Sequence, residues 1–179
     1  VINGDITTWA DAIRSIDVLN YLAFTAEEDN STISLNAKTS PDIKYSLNEG
    51  EWTQWDYSAI TLNIGDTVRM KGNNINGFST GYSPCNQFQM TGKIGASGNI
   101  MSLLYEDNFE GKLTIPNFCF YSMFQGCISL TTAPELPATT LANGCYGSMF
   151  SGCTSLTAAP ELPATTLADS CYSNMFYNC

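Results

Sequence analysis

The chain has no histidine among its 179 residues. That removes the imidazole as a general base, and with it histidine-activated nucleophiles and histidine-ligated zinc or iron. Charge is scarce as well. Asp, Glu, Lys and Arg make up 13% of the chain, and 7 Lys and Arg stand against 17 Asp and Glu, a formal net charge of −10. A nucleic-acid partner needs clustered cations to displace counterions from phosphates, and none are clustered here. No apolar run approaches the about 20 residues a membrane-crossing helix requires. Phosphate-binding loops, EF-hand calcium loops and Cys-x-x-Cys pairs are all missing.

The scarcity is uneven. Residues 1–112 hold 14 of the acids and all 7 basic residues, whereas residues 113–179 hold only Glu135, Glu161 and Asp169. What the second part does have is a repeat of 26 residues. Cys119, Cys145 and Cys171 mark it, as do Cys127, Cys153 and Cys179, Met123, Met149 and Met175, and Phe124, Phe150 and Phe176. Each first cysteine is followed by an aromatic: Phe120, Tyr146, Tyr172. The segment Ala133 to Ala142 recurs intact as Ala159 to Ala168. A period of this size predicts a stacked architecture in which each unit buries its apolar side against the next.

Within the unit, Ser129 to Ala133 reads as a short strand, with Leu130 inward. Pro134 and Pro137 keep Glu135 and Leu136 extended. Leu141, Cys145, Met149 and Cys153 are spaced by four, which predicts a short helical segment, ended by Gly152 or Asn178. On a helix, Cys145 and Cys153 stand about 12 Å apart by rise alone, too far to bridge. The cysteines then read as two ladders of buried thiols; disulfides and a structural metal remain alternatives. The Met and Phe columns read as core.

A unit with Met149 to Thr157 followed by Ala159 to Ala168 resembles the BspA-type leucine-rich repeats of Bacteroidetes surface proteins. The resemblance covers residues 100–179. It implies a leucine-rich-repeat solenoid of coils, each with one short strand and one short helical segment, and an extracellular or cell-surface protein with an adhesin-like role. Residues 100–112 read as a degenerate first coil. The array is expected to continue beyond Cys179, or to self-associate through that uncapped end.

Residues 20–99 read as β. Alternation runs through Tyr21–Thr25, Ser31–Ala37, Asp42–Leu47, Ala59–Ile64, Thr67–Lys71 and Phe88–Ile94, and on into Asn99–Leu104, with turns at Asn48-Glu49-Gly50 and Gly65-Asp66. This predicts a small β-sandwich. Ile60 to Val68 and Met90 to Ile94 resemble the sandwich-like spacers that precede such repeats. Trp52 and Trp55 read as core and edge cover, with an exposed sugar platform as the alternative. Residues 1–19 stand apart; Trp9 to Val18 reads as a helix capped by Thr8, not as a secretory leader.

The expected fold class is therefore mixed α/β, with segments at 1–19, 20–99 and 100–179. No catalytic residue, cofactor or metal ligand set is assigned. Calcium on an acidic loop is a lesser alternative. The expected function is a non-catalytic binding module that meets a host or bacterial surface protein or a glycan. It would sit at the cell surface without spanning the membrane, and would not bind nucleic acid. The candidate surface comprises Thr131, Thr132, Thr157, Glu135, Glu161, Tyr121 and Tyr177. A structural spacer or fibre component, including a phage fibre, is the alternative. A hydrolase that uses Glu27, Glu28 or Glu106 is a distant third.

Overall fold

The computed structural model describes residues 20–179; the helix expected at Trp9 to Val18 lies outside them. Among the described residues the regular structure is almost all β. The strands are β1 (Leu22–Ala26), β2 (Ser31–Asn36), β3 (Lys44–Leu47), β4 (Thr53–Gln54), β5 (Ile60–Leu62), β6 (Thr67–Lys71), β7 (Gln87–Thr91), β8 (Ile94–Ser97) and β9 (Leu130–Thr132). They form two open sheets, one of six strands in the order β4-β3-β6-β1-β8-β9 and one of three in the order β5-β2-β7. All pairs are antiparallel except β8 with β9, which run parallel.

The alternation that marks these strands is physical. In β2, Ser31, Ile33 and Leu35 are buried while Thr32, Ser34 and Asn36 are half-buried, the period-two burial of a strand with one inward face. Rings from the two sheets meet in the core. Phe24 of β1 lies 5.2 Å from Phe88 of β7, and Phe88 stacks in turn on Trp55 at 6.2 Å. Trp55 is buried and its indole N–H donates to the Ser58 carbonyl, so it is core.

Asn99 to Leu104 departs from the strand expectation. Ser102–Tyr105 is the one short helix among the described residues, α1, with Ser102, Leu103 and Leu104 buried. The Ser102 hydroxyl donates to the Met70 carbonyl and accepts from the Leu22 amide, fastening α1 to β6 and β1.

The mixed α/β class and the leucine-rich-repeat solenoid are both overturned. No helical segment occurs in any 26-residue unit, and only the first unit carries a strand, β9. The stretch expected to be helical is a ribbon of consecutive turns. From 119 to 127 every odd-numbered amide donates three residues back, as Tyr121 N does to Phe118 O and Met123 N to Phe120 O. Every even-numbered amide instead donates to the next unit, as Phe120 N does to Cys145 O and Phe124 N to Met149 O. Every second turn has a left-handed residue at its third position: Phe118, Ser122 and Gly126, then Gly144, Ser148 and Gly152, then Ser170, Asn174 and Asn178. A left-handed residue every four positions excludes an α-helix, yet keeps the spacing of four that resembles one.

The ribbons pile in register. Phe88, Phe124, Phe150 and Phe176 stack with ring centroids 5.5, 5.6 and 5.7 Å apart. Phe78, Phe120, Tyr146 and Tyr172 form a second column at 6.3, 5.9 and 5.8 Å. The columns begin at Phe78 and at Phe88 of β7, and the Ser79 and Phe88 amides donate to Cys119 O and Met123 O.

The cysteines line the same core. Cys119, Cys127, Cys145, Cys153 and Cys171 are buried, Cys85 is half-buried and Cys179 exposed, and all are free thiols. One column of thiols has a defined task. Cys127, Cys153 and Cys179 donate to the carbonyls of Phe88, Phe124 and Phe150 at 3.1, 3.0 and 2.9 Å, so each thiol ties one layer to the layer before it. Burial pushes Cys145 up to about 11 and Cys153 up to about 12, which keeps both protonated and unreactive.

Candidate functional site

The candidate surface residues separate into three groups. Thr131 is buried; its hydroxyl lies 2.6 Å from Glu27 Oε1 and 3.2 Å from the Ile94 carbonyl. The Thr132 hydroxyl donates to the Ala96 carbonyl at 2.8 Å, and both the amide and the hydroxyl of Thr157 donate to the Thr131 carbonyl at 3.1 Å. These threonines hold layers together, and their hydroxyls are already committed.

Glu135 and Glu161 behave differently. They sit in an open groove of about 610 Å³ whose walls include Pro134, Pro137, Pro160 and Pro163. The cause lies in the backbone. The first corner is pinned: Glu135 N donates to Gly98 O, Ile100 N donates to Glu135 O, and Thr139 and Thr140 donate to Leu113 O. The second corner has the same sequence, but between the bonds at Thr157 and Asp169 no described backbone hydrogen bond joins it to the first. Two prolines in each corner withhold amides that a ladder would need. The layers part there, and a smaller hollow of about 220 Å³ opens between Thr140 and Thr166.

Tyr121 enters an aromatic cluster. Its ring centroid lies 5.0 Å from Tyr82 and 6.4 Å from Phe118, and Tyr82 lies 4.4 Å from Phe118. Sequence reasoning missed Tyr82 and Phe118. The available signal was the break in the columns, where Phe118 is followed by Gly144 and Ser170, and Tyr121 by Gly147 and Ser173. Tyr177 is 62% exposed and belongs to neither site.

The loop that carries Tyr82 is pinned at its base. Asn86, fully buried, accepts at Oδ1 from the amides of Lys38 and Thr39 at 2.7 and 3.1 Å, donates from its side-chain amide to Thr39 Oγ1 and the Phe78 carbonyl, and donates from its backbone amide to the Ser79 hydroxyl oxygen. Every polar atom of that side chain is used.

The acids proposed for hydrolysis are dispersed. Glu27 receives Thr131; Glu28 is exposed beside it; Glu106 pairs with Lys44 at 2.6 Å, and its neighbour Asp107 pairs with Lys71 at 2.7 Å beneath the Trp52 ring. None lines the groove. Among the described residues no group of three or more acids and cysteines could hold a metal ion, and no helix is long and apolar enough to cross a membrane.

No family model, curated protein or solved structure matches the chain. With the turn ribbons in place of strand-and-helix coils, this overturns the resemblance to BspA-type leucine-rich-repeat proteins and to their sandwich-like spacers. What the fold defines is a two-sheet β protein extended by stacked turn ribbons.

Proposed function

We propose that the chain is a non-catalytic binding module that takes an extended protein segment in the groove between its two proline-rich corners. The observation that carries this reading is the groove itself. Proline rings fix φ at two positions in each wall, and the first wall is bonded to the sheet through Glu135. Its two charged groups, Glu135 and Glu161, are of one sign, and no Lys or Arg occurs between residues 113 and 179 to neutralise them. A partner segment with apolar side chains and at least one Lys or Arg complements that arrangement.

The test is selection of displayed peptides on the whole chain. Enriched peptides should be basic, and Glu135→Gln with Glu161→Gln should weaken them about tenfold or more and flatten their salt dependence. Enrichment of acidic peptides, or binding indifferent to both changes, overturns the reading.

A second reading, a structural spacer, is favoured by the aromatic columns, which repeat layer upon layer without change of register. A spacer predicts no enriched peptide at all.

A further inference from the structure

A second surface, apart from the groove, has a different chemistry. Tyr82 is 58% exposed, while Phe118 and Tyr121 are half-buried beside it. The two lower rings are seated on bare backbone. A Cβ at Gly144 would stand 2.5 Å from two ring carbons of Phe118, and one at Gly147 would stand 2.8 Å from two ring carbons of Tyr121. Aromatics that hold the stack recur in every unit, as Phe124, Phe150 and Phe176 do. Phe118 and Tyr121 occur in one unit only and stay at the surface, so the stack does not require them.

The surroundings are polar, with one acid and no cation in the strip. Residues 72–92 contain no charged side chain. No described protein group bonds to the Tyr82 or Tyr121 hydroxyl. Asn117, Asn143 and Asp169 immediately precede Phe118 and its equivalents Gly144 and Ser170 in three successive units, and all three are exposed. They are held in line by Asn143 N donating to Asn117 Oδ1 at 3.0 Å and Gly144 N donating to the Asp169 carbonyl at 2.9 Å.

We propose that Tyr82, Phe118 and Tyr121 form a binding site for a neutral saccharide. The apolar C–H face of a sugar ring packs on aromatic faces, while its hydroxyls need planar amide and carboxylate partners at the edge, which Asn143 and Asp169 supply. The absence of any cation in the strip disfavours sulfated, sialylated or phosphorylated ligands. Rings already fixed by packing lose little freedom when the ligand arrives.

The test titrates the whole chain with neutral oligosaccharides of glucose, xylose, mannose, galactose and N-acetylglucosamine, and with a heparin oligosaccharide as the anionic control. Calorimetry and tyrosine fluorescence read the binding. At least one neutral oligosaccharide should bind. Tyr82→Ala should weaken it at least about tenfold with an unchanged circular-dichroism spectrum, and Tyr82→Phe should retain most of the affinity. Glu135→Gln should leave it unaltered, which separates this site from the groove. No binding of any neutral sugar, binding of heparin alone, or affinity indifferent to Tyr82→Ala overturns the proposal.

Discussion

Tyr146 places a phenol where the neighbour above it in the column, Phe120, has only a ring. The residue is fully buried, and its hydroxyl finds no hydrogen-bond partner. A buried hydroxyl stripped of water and left unpaired costs roughly 1–3 kcal/mol. Tyr146→Phe keeps the ring stacked between Phe120 and Tyr172 and removes that penalty. The expected outcome is a gain of roughly 1–2 kcal/mol in unfolding free energy, measured by urea titration. A loss of stability would show that the hydroxyl has a partner after all. The thiols give a second prediction at this scale. Buried Cys145 and Cys153 hold their protons up to about 11 and about 12, against an ordinary value of 9.0. Below pH 9 the thiol is neutral both folded and unfolded, so stability is fully present. Above it the unfolded chain ionises first and binds fewer protons, so stability falls as pH rises through the folded values. The urea midpoint should stay level towards pH 9 and then decline between about 9 and 12. Cys145→Val should make that decline shallower.

At the scale of elements, most strands were legible, β4 and β8 excepted, and the ribbons were not, for one physical reason. A strand announces itself by alternation: β2 and β6 fall where Ile33 and Leu35, and Val68 and Met70, alternate with polar residues. A turn ribbon with a left-handed residue every four positions buries pairs such as Cys119-Phe120 and Met123-Phe124, and the spacing of those pairs is what a helix shows too. Only the residues in the left-handed positions separate the two. Gly126, Gly152, Asn174 and Asn178 are ordinary there, but Ser122, Ser148, Ser170 and Phe118 are not. The signal was therefore carried by four residue types of unequal strength. The candidate sites divide the same way. Glu135 and Glu161 were expected at the surface, but the groove between them was not legible, because two corners of identical sequence differ only in which one the sheet holds by backbone hydrogen bonds. The commitment of Thr131 to Glu27 was not, because it joins residues 104 positions apart. Nor was Tyr82, which reaches Phe118 and Tyr121 only because Asn86 fixes the loop between Phe78 and Phe88.

At the scale of the molecule, the change in composition at residue 112 does not coincide with a break in the core. One cluster of buried side chains runs from Leu22 to Met175. Phe24, in the middle of the larger sheet, touches both Phe88 and Phe124, at 5.2 and 6.0 Å. The first ribbon supplies the edge strand β9, and its Cys119, Met123 and Ser129 carbonyls receive the amides of Ser79, Phe88 and Ile94. A chain of residues 1–112 would therefore bare Phe78 and Phe88 on the side now covered by Phe120 and Phe124, and would lose Leu130 from beside Ile94. Each large apolar side chain removed from such a core is worth roughly 2–3 kcal/mol. Three of them approach the whole net stability of a domain, about 5–15 kcal/mol. A chain of residues 1–153 keeps the first two ribbons and loses only the layer that covers Tyr146 and Phe150 on their outer side. Calorimetry should show no cooperative transition for residues 1–112, a single transition at a lowered midpoint for residues 1–153, and a single transition for the whole chain. A sharp transition in the shortest chain would mean that the sheets fold by themselves and that the ribbons are appended to them, not built into their core.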